Sequence, residues 1–331
     1  MGGKKLFLAK VLWRSRILTA LRTLREPSLV VLNFHRVRGD GPAQVSVFEE
    51  GVFGPSASGF ERQMEWVSRN TEVLTEGEVI ERFDGGRAFG TPSSLVTFDD
   101  GYIDNYETAF PILRRFGIPA IFFIPTALIS SRQLGWWDIV AYLVKGSRRS
   151  SIRIGDAEIS LADRTKAIRE LIARVKQRSV EAPAYSMEKL AEACDVPLPP
   201  VGVQGRELMT WEQLREVSRS GIAVGSHTHT HPVLSKLGRD GQREELRVSK
   251  EILERELGKP VRSIAYPFGG SLHYGKDSMS LASECGYEIG FSFHGRANRS
   301  GRIDRFGISR FRAPDEIELM AASIVIPEVF G

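Results

Sequence analysis

The chain has 331 residues, 42% of them hydrophobic and 26% charged, with a formal net charge of +4. That length suits one large α/β barrel or two small domains, and the composition is ordinary for a globular protein. The charge excess is too weak, and lacks the basic stripe interleaved with aromatics, to point to nucleic acid. No run approaches the roughly 18 apolar residues of a membrane span, and Cys194 and Cys285 form neither a disulfide framework nor a CxxC motif.

Residues 4–25 read as one helix, with Leu6, Trp13, Ile17, Ala20 and Leu24 on a single stripe. Seven basic residues and no acid precede Glu26. Lys10, Arg14 and Arg16 break the apolar stretch too early for a signal peptide, and no small-residue cleavage site follows. The segment is therefore expected to be retained, with a cytoplasmic location as the default. It is expected to pack as a basic helix (1–27) closing one end of the domain. The alternative is an interfacial helix on the inner face of an anionic membrane, disfavoured because Lys10 and Arg14 intrude on the apolar arc.

After Pro27, Ser28 to His35 reads as a buried strand, followed by a Gly/Pro-rich loop and a helix near Phe60–Arg69. A helix near Glu76–Phe83, a strand Ser94–Phe98, a helix Tyr106–Phe116 and a strand Ala120–Ile124 come next. The alternation resumes with helix Trp211–Arg219, strand Ile222–Val224, helix Gln242–Leu257, strand Ser263–Tyr266, helix Ser278–Cys285 and strand Ile289–Ser292. A strand-like stretch, Arg305–Phe311, follows. Continuous apolar strands alternating with helices predict a parallel sheet covered on both faces. The fold expected is an α/β, distorted (β/α) barrel of about seven parallel strands spanning 28–331. Residues 132–207 interrupt it as a Lys/Arg-rich helical insertion or cap, with Trp136 and Trp137 as sugar-stacking surfaces or as packing.

Function in such folds collects at the carboxyl ends of strands. Thr97-Phe98-Asp99-Asp100-Gly101-Tyr102 places two adjacent carboxylates at one strand end, and His227-Thr228-His229-Thr230-His231 places two imidazoles four residues apart at another. His35 stands at a third. One carboxylate with two imidazoles suits a divalent ion, zinc or another transition metal, with an open position. The other carboxylate, Asp99, is left to act as a base towards water. His229 is expected to point away from the ion.

These segments resemble the first two motifs of the polysaccharide deacetylases, carbohydrate esterase family four with its NodB-homology domain. Phe122 to Thr126, Leu208 to Trp211 and Ile264-Ala265-Tyr266-Pro267-Phe268-Gly269 are similar to further landmarks of that family. The resemblance implies that Asp99 is the catalytic base and that Asp100, His227 and His231 bind the metal. By analogy it gives the Phe268 backbone N–H to the oxyanion.

Two departures stand out. The third motif usually reads Arg-x-Pro-Tyr; here Ala265 replaces its arginine, and Arg310 or Arg305 is the candidate substitute. The late Leu-x-His carrying the general acid is also absent. Leu32-Asn33-Phe34-His35, however, resembles the opening strand of permuted deacetylases acting on poly-N-acetylglucosamine, which makes His35 the candidate acid and His294 its rival.

The activity implied is removal of N-acetyl groups from an N-acetylated carbohydrate. The competing readings are deformylation or amide hydrolysis on a lipid-linked aminosugar, and a catalytically impaired glycan-binding protein. Tyr102 and Tyr266, inside the motifs, are expected to support the site. Oligomeric state is not readable.

Overall fold

A computed structural model describes residues 2–23, 27–41, 46–85, 88–90, 92–177, 186–299 and 303–330. Seven strands form a closed, all-parallel barrel: β1 (Ser28–Phe34), β2 (Ser93–Asp99), β3 (Ala120–Ile124), β4 (Ala223–Ser226), β5 (Ser263–Ala265), β6 (Ile289–Ser292) and β7 (Ile308–Arg312). Their order around the barrel is their order in the chain. Val31 closes the ring, lying opposite Leu95 of β2 on one side and Arg310 of β7 on the other. The expected seven-stranded (β/α) barrel is therefore the fold.

Strand alternation sorts the side chains into two cores. Leu29, Val31, Leu95, Ile121, Phe123, Phe291 and Ile308 face the barrel interior, where Leu74, Val79 and Ile80 plug the lower end. Val30, Leu32, Phe34, Val96, Phe98 and Phe122 face the surrounding helices. The inward parity also carries Asn33, Thr97, Asp99 and Arg310, which stand above the apolar layer. Gly225 of β4 is required by close approach: a Cβ there would lie 2.5 Å from the Phe123 ring.

The interruption at 132–207 lies between β3 and β4 and holds its own small core, with Val140, Leu143, Ile152, Leu171 and Leu190 at its centre. It is not helical throughout. Ser151–Ile154 and Ala157–Ser160 pair as an antiparallel hairpin between helices Trp136–Gly146 and Arg164–Gln177. Residues 178–185 of this segment lie outside the described residues.

The expected single N-terminal helix is two, α1 (Gly2–Arg14) and α2 (Ile17–Thr23), because Arg16 takes a left-handed φ of 59°. Residues 24 and 25 lie outside the described residues. The pair packs on the helices that follow β7 and on the helix Ala57–Asn70. Ala9 and Leu18 bury against Ala321, Ala322 and Val325 of the helix Ile317–Val325, and Trp13 meets Trp66 at 6.3 Å between centroids. Among the described residues no helix is long and apolar enough to cross a membrane.

Candidate active site

Strand β4 ends at Ser226, so His227 enters the barrel mouth directly. Its Nδ1 lies 2.7 Å from the Ala265 carbonyl, an acceptor only, so Nδ1 carries the proton and Nε2 presents its lone pair. That Nε2 is 3.7 Å from Asp100 Oδ1, and His231 Nε2 is 3.5 Å from the same oxygen. All three side chains are buried. A tetrahedral ion with bonds of about 2.0–2.2 Å separates its ligand atoms by about 3.3–3.6 Å, close to both spacings.

Electrostatics also fits a cation at this point. Asp100 Oδ1 is buried and accepts no hydrogen bond among the described residues. Burial, then the charges of Asp99 and Asp138, push the Asp100 carboxyl well above the usual range. Burial likewise holds His231 well below its usual value and His227 below it. Two neutral imidazoles and an unsatisfied carboxylate oxygen are the donor set a divalent ion requires.

The His227–His231 loop is held from three directions. Thr228 and His231 adopt left-handed φ values of 66° and 60°, and Thr228 Oγ1 accepts the His231 N–H at 3.2 Å. The Glu245 carboxylate accepts the N–H groups of His229 and Thr230 at 2.9 and 2.8 Å. The His229 ring turns to Thr126, with Nδ1 2.8 Å from Oγ1, and the His229 carbonyl accepts the Ala127 N–H. His229 thus fixes the loop and stays out of the ligand set. Asp100 and Phe268 also take positive φ, so four of the seven such non-glycine residues described lie at this mouth. At roughly 1–3 kcal/mol each, such strain persists only where surrounding contacts enforce it.

Beside the three ligand candidates, Asp99 is gripped by Arg310. Nη1 donates to Oδ1 at 2.6 Å and Nη2 to Oδ2 at 2.9 Å, while Asn33 Nδ2 donates to Oδ2 at 3.1 Å. Arg310 Nη1 also donates to Asn33 Oδ1 at 2.9 Å. Burial alone would raise the Asp99 carboxyl; Arg310, His227 and His35 override it and hold the group well below the carboxylate range. Of the two arginines expected to replace the missing one, Arg310 reaches the site. Arg305 does not: it donates to Asp84 and to the Glu288 carbonyl, because it precedes β7 on the opposite side of the barrel from the mouth.

His35, directly after β1 and part-exposed, brings Nε2 to 3.9 Å from Asp99 Oδ2. Burial lowers its pKa, against the pull of Asp99 and with help from Arg310 and His227. The ring is therefore neutral at neutral pH. Its rival, His294, is not brought to the site; its Nε2 pairs with Tyr274 Oη at 2.9 Å, in a separate cavity with Arg296 and Asp304.

Phe268, with φ 59°, sets its ring 4.9 Å from that of His231. Its N–H has no protein acceptor among the described residues. Trp136, Trp137 and His273 surround the Phe268 ring, and Lys176 Nζ stands 4.0 Å over it. Trp137 is buried, donating Nε1–H to Tyr102 Oη at 2.8 Å, so its role is packing. Tyr102 in turn donates to Asp138 at 2.7 Å. Tyr266 stacks on Tyr274 and is fully buried, a wall between β5 and β6 and not a substrate contact.

Asn33, Asp138, Glu245 and Lys176 escape a motif-based reading. Inward strand parity was the one signal for Asn33, two residues before His35.

A sequence profile described as polysaccharide deacetylase matches residues 86–290, which include Asp99, Asp100, His227, His231 and Phe268 but neither His35 nor Arg310. The Bacillus subtilis (strain 168) protein YxkH, whose name assigns it to the polysaccharide deacetylases, is 21% identical over 271 residues, 82% of this chain and 66% of that protein. A poly-beta-1,6-N-acetyl-D-glucosamine N-deacetylase of Staphylococcus aureus (strain MSSA476) is 31% identical over 124 residues, 35% of this chain and 42% of that one. The chain thus spans less than two thirds of the length of either relative. The solved structure of IcaB from Ammonifex degensii superposes with a TM-score of 0.58 at 21% identity, over 91% of this chain and 98% of that one, a likeness of fold. With the profile covering well over half of its length, the chain belongs to the polysaccharide deacetylase family.

Proposed function

We propose that this chain is a metal-dependent hydrolase that removes N-acetyl groups from an N-acetylated sugar in a polysaccharide or glycan precursor. The observation that carries the reading is the adjacency of two differently tuned carboxylates. Asp100 faces two neutral imidazoles with an unsatisfied oxygen, while Asp99 is held ionised by Arg310. One acid suits a cation and the other a proton, and environment decides which is which.

Asp100, His227 and His231 would hold the ion, zinc or another transition metal. Bound there, it supplies Lewis-acid polarisation of the acetyl carbonyl and lowers the pKa of the attacking water. Asp99 then takes the water proton as the oxygen adds to the carbonyl carbon. The Phe268 N–H is free to donate to the developing oxyanion. His35, neutral at rest with Nε2 3.9 Å from Asp99, takes up that proton once it closes to hydrogen-bond distance or through one bridging water, and delivers it to the amide nitrogen. The C–N bond breaks, leaving acetate and a free amine. Arg310 and Asn33 keep Asp99 in place throughout.

A binding-only role was suggested by the missing third-motif arginine. Arg310 removes that motive, since a binding site has no need of a base held in a two-armed grip. The S. aureus relative's name favours poly-N-acetylglucosamine as the first substrate to test. The experiment is acetate release from N-acetylglucosamine oligomers by protein of measured metal content. Activity that tracks metal loading supports the reading; fully loaded protein that releases no acetate from any N-acetylated glycan contradicts it.

A further inference from the structure

Large apolar side chains exposed to solvent are scattered over most of this molecule, except at one place. Of the nine among the described residues, four lie on the first two helices: Phe7 (71% exposed), Leu8 (43%), Val11 (45%) and Ile17 (43%). Val329, beside the buried Phe330 that packs in the same cluster, adds a fifth. Their orientation is set by the opposite face of α1, where Ala9 is fully buried and Leu12 and Trp13 pack against the last helices and Trp66. At 100° per residue, Phe7 and Val11 form the centre of the outward face. Lys10 and Arg14 flank them on one side and Lys4 on the other.

The charge on the two helices has one sign, and the acid next to Val329, Glu328, is paired with Arg299. Lys4, Lys5, Lys10, Arg14, Arg16 and Arg22 carry it, and neither helix contains an acid. Arg22 is drawn towards the Asn70 side chain and carbonyl; the other five make no ion pair among the described residues. Packing alone does not call for this pattern, because the residues that bind α1 to the barrel point the other way. An apolar ridge framed by unpaired cations on a helix fixed parallel to the surface matches the boundary of an anionic bilayer. There the ridge enters the acyl region and the cations stay among the headgroups.

We infer that the outward face of α1 and α2, centred on Phe7 and Val11 and framed by Lys4, Lys10 and Arg14, docks this protein on the surface of a membrane containing anionic lipid. The inference is independent of the reaction proposed above.

The test is co-sedimentation of the full chain with vesicles of phosphatidylcholine alone and of phosphatidylcholine mixed with phosphatidylglycerol. Binding is expected to the mixed vesicles, to weaken with salt, and to be much poorer with phosphatidylcholine alone. The double variant Phe7→Asp/Val11→Asp should lose about tenfold or more in vesicle affinity, as should Lys4→Glu/Lys10→Glu/Arg14→Glu. Val201→Asp, at an exposed apolar position in the insertion, should bind like wild type. Unchanged melting temperatures show that the variants fold, and the two sets of substitutions check each other. Wild-type protein that ignores anionic vesicles, variants that bind as tightly as wild type, or a Phe7-dependent dimer without vesicle binding would each overturn the inference.

Discussion

Arg310 holds Asp99 in a two-point grip that spans from β7 to β2 across the mouth, 2.6 Å at one oxygen and 2.9 Å at the other. Both groups are buried, and no other Arg or Lys reaches this carboxylate among the described residues. Replacing Arg310 by Met removes the grip and leaves a buried carboxylate uncompensated. Stability should fall by about 3–5 kcal/mol in urea melts, and kcat should fall by about 100-fold. Arg310→Lys keeps the charge but not the planar fork, so it should recover part of the stability and little of the rate.

Glu245 touches neither His227 nor His231, yet it accepts the N–H groups of His229 and Thr230 inside the loop that carries both histidines. Glu245→Ala should weaken metal affinity by about 10–100-fold, measured by competition with a chelator. Protein reloaded in excess metal should regain most of its turnover. A variant with wild-type affinity and low kcat would show that Glu245 does something other than hold the loop.

Asp138 supplies a pH-dependent term in stability. Burial raises its carboxyl to about 6, against the opposing hydrogen bonds from Tyr102 and the Glu49 N–H. Unfolded, it titrates near 3.9. Between those values the native state binds the extra proton, so the contribution of Asp138 is fully present below about 4 and is lost as pH rises through about 6. The loss is on the order of 2–3 kcal/mol. Asp138→Asn should therefore gain stability relative to wild type on going from pH 4 to pH 7, in urea melts of metal-free protein. A difference that does not vary with pH would contradict this.

Lys176 stands over the Phe268 ring at the edge of the mouth and forms no ion pair among the described residues. If its ammonium meets substrate, Lys176→Ala should raise KM several-fold and leave kcat within about twofold of wild type. A fall in kcat at unchanged KM would instead mean that it positions Phe268.

Much of this architecture was open to direct reading, for a physical reason. Strands buried on both faces are largely apolar, so Leu29–Leu32, Leu95–Phe98 and Ala120–Ile124 announce themselves, and the carboxyl ends of β2 and β4 lead to Asp99–Asp100 and to His227–His231. What escaped depends on tertiary structure. Glu245 lies on a helix whose exposed face is otherwise charged, and nothing local marks it as the residue that turns towards the histidine loop. Arg310 and Arg305 are near neighbours in sequence. Only the barrel's inward parity separates the one beside Asp99 from the one beside Asp84. The break between α1 and α2 occurs at Arg16, with neither Gly nor Pro to signal it. The hairpin did carry a local signal, since Gly155-Asp156 is a two-residue turn between Ile152, Ile154 and Ile159, with φ 58° at the glycine. The Lys/Arg-rich helix that follows, Arg164–Gln177, masked it.

The central claim is the division of labour between neighbouring carboxylates, and it is tested by measuring bound metal and acetate release on the same samples of wild type, Asp99→Asn and Asp100→Asn. The account predicts that Asp99→Asn keeps its metal and loses at least about 1,000-fold in turnover, while Asp100→Asn loses metal and turnover together. An Asp99→Asn protein as active as wild type, or an Asp100→Asn protein that retains both metal and activity, would contradict it.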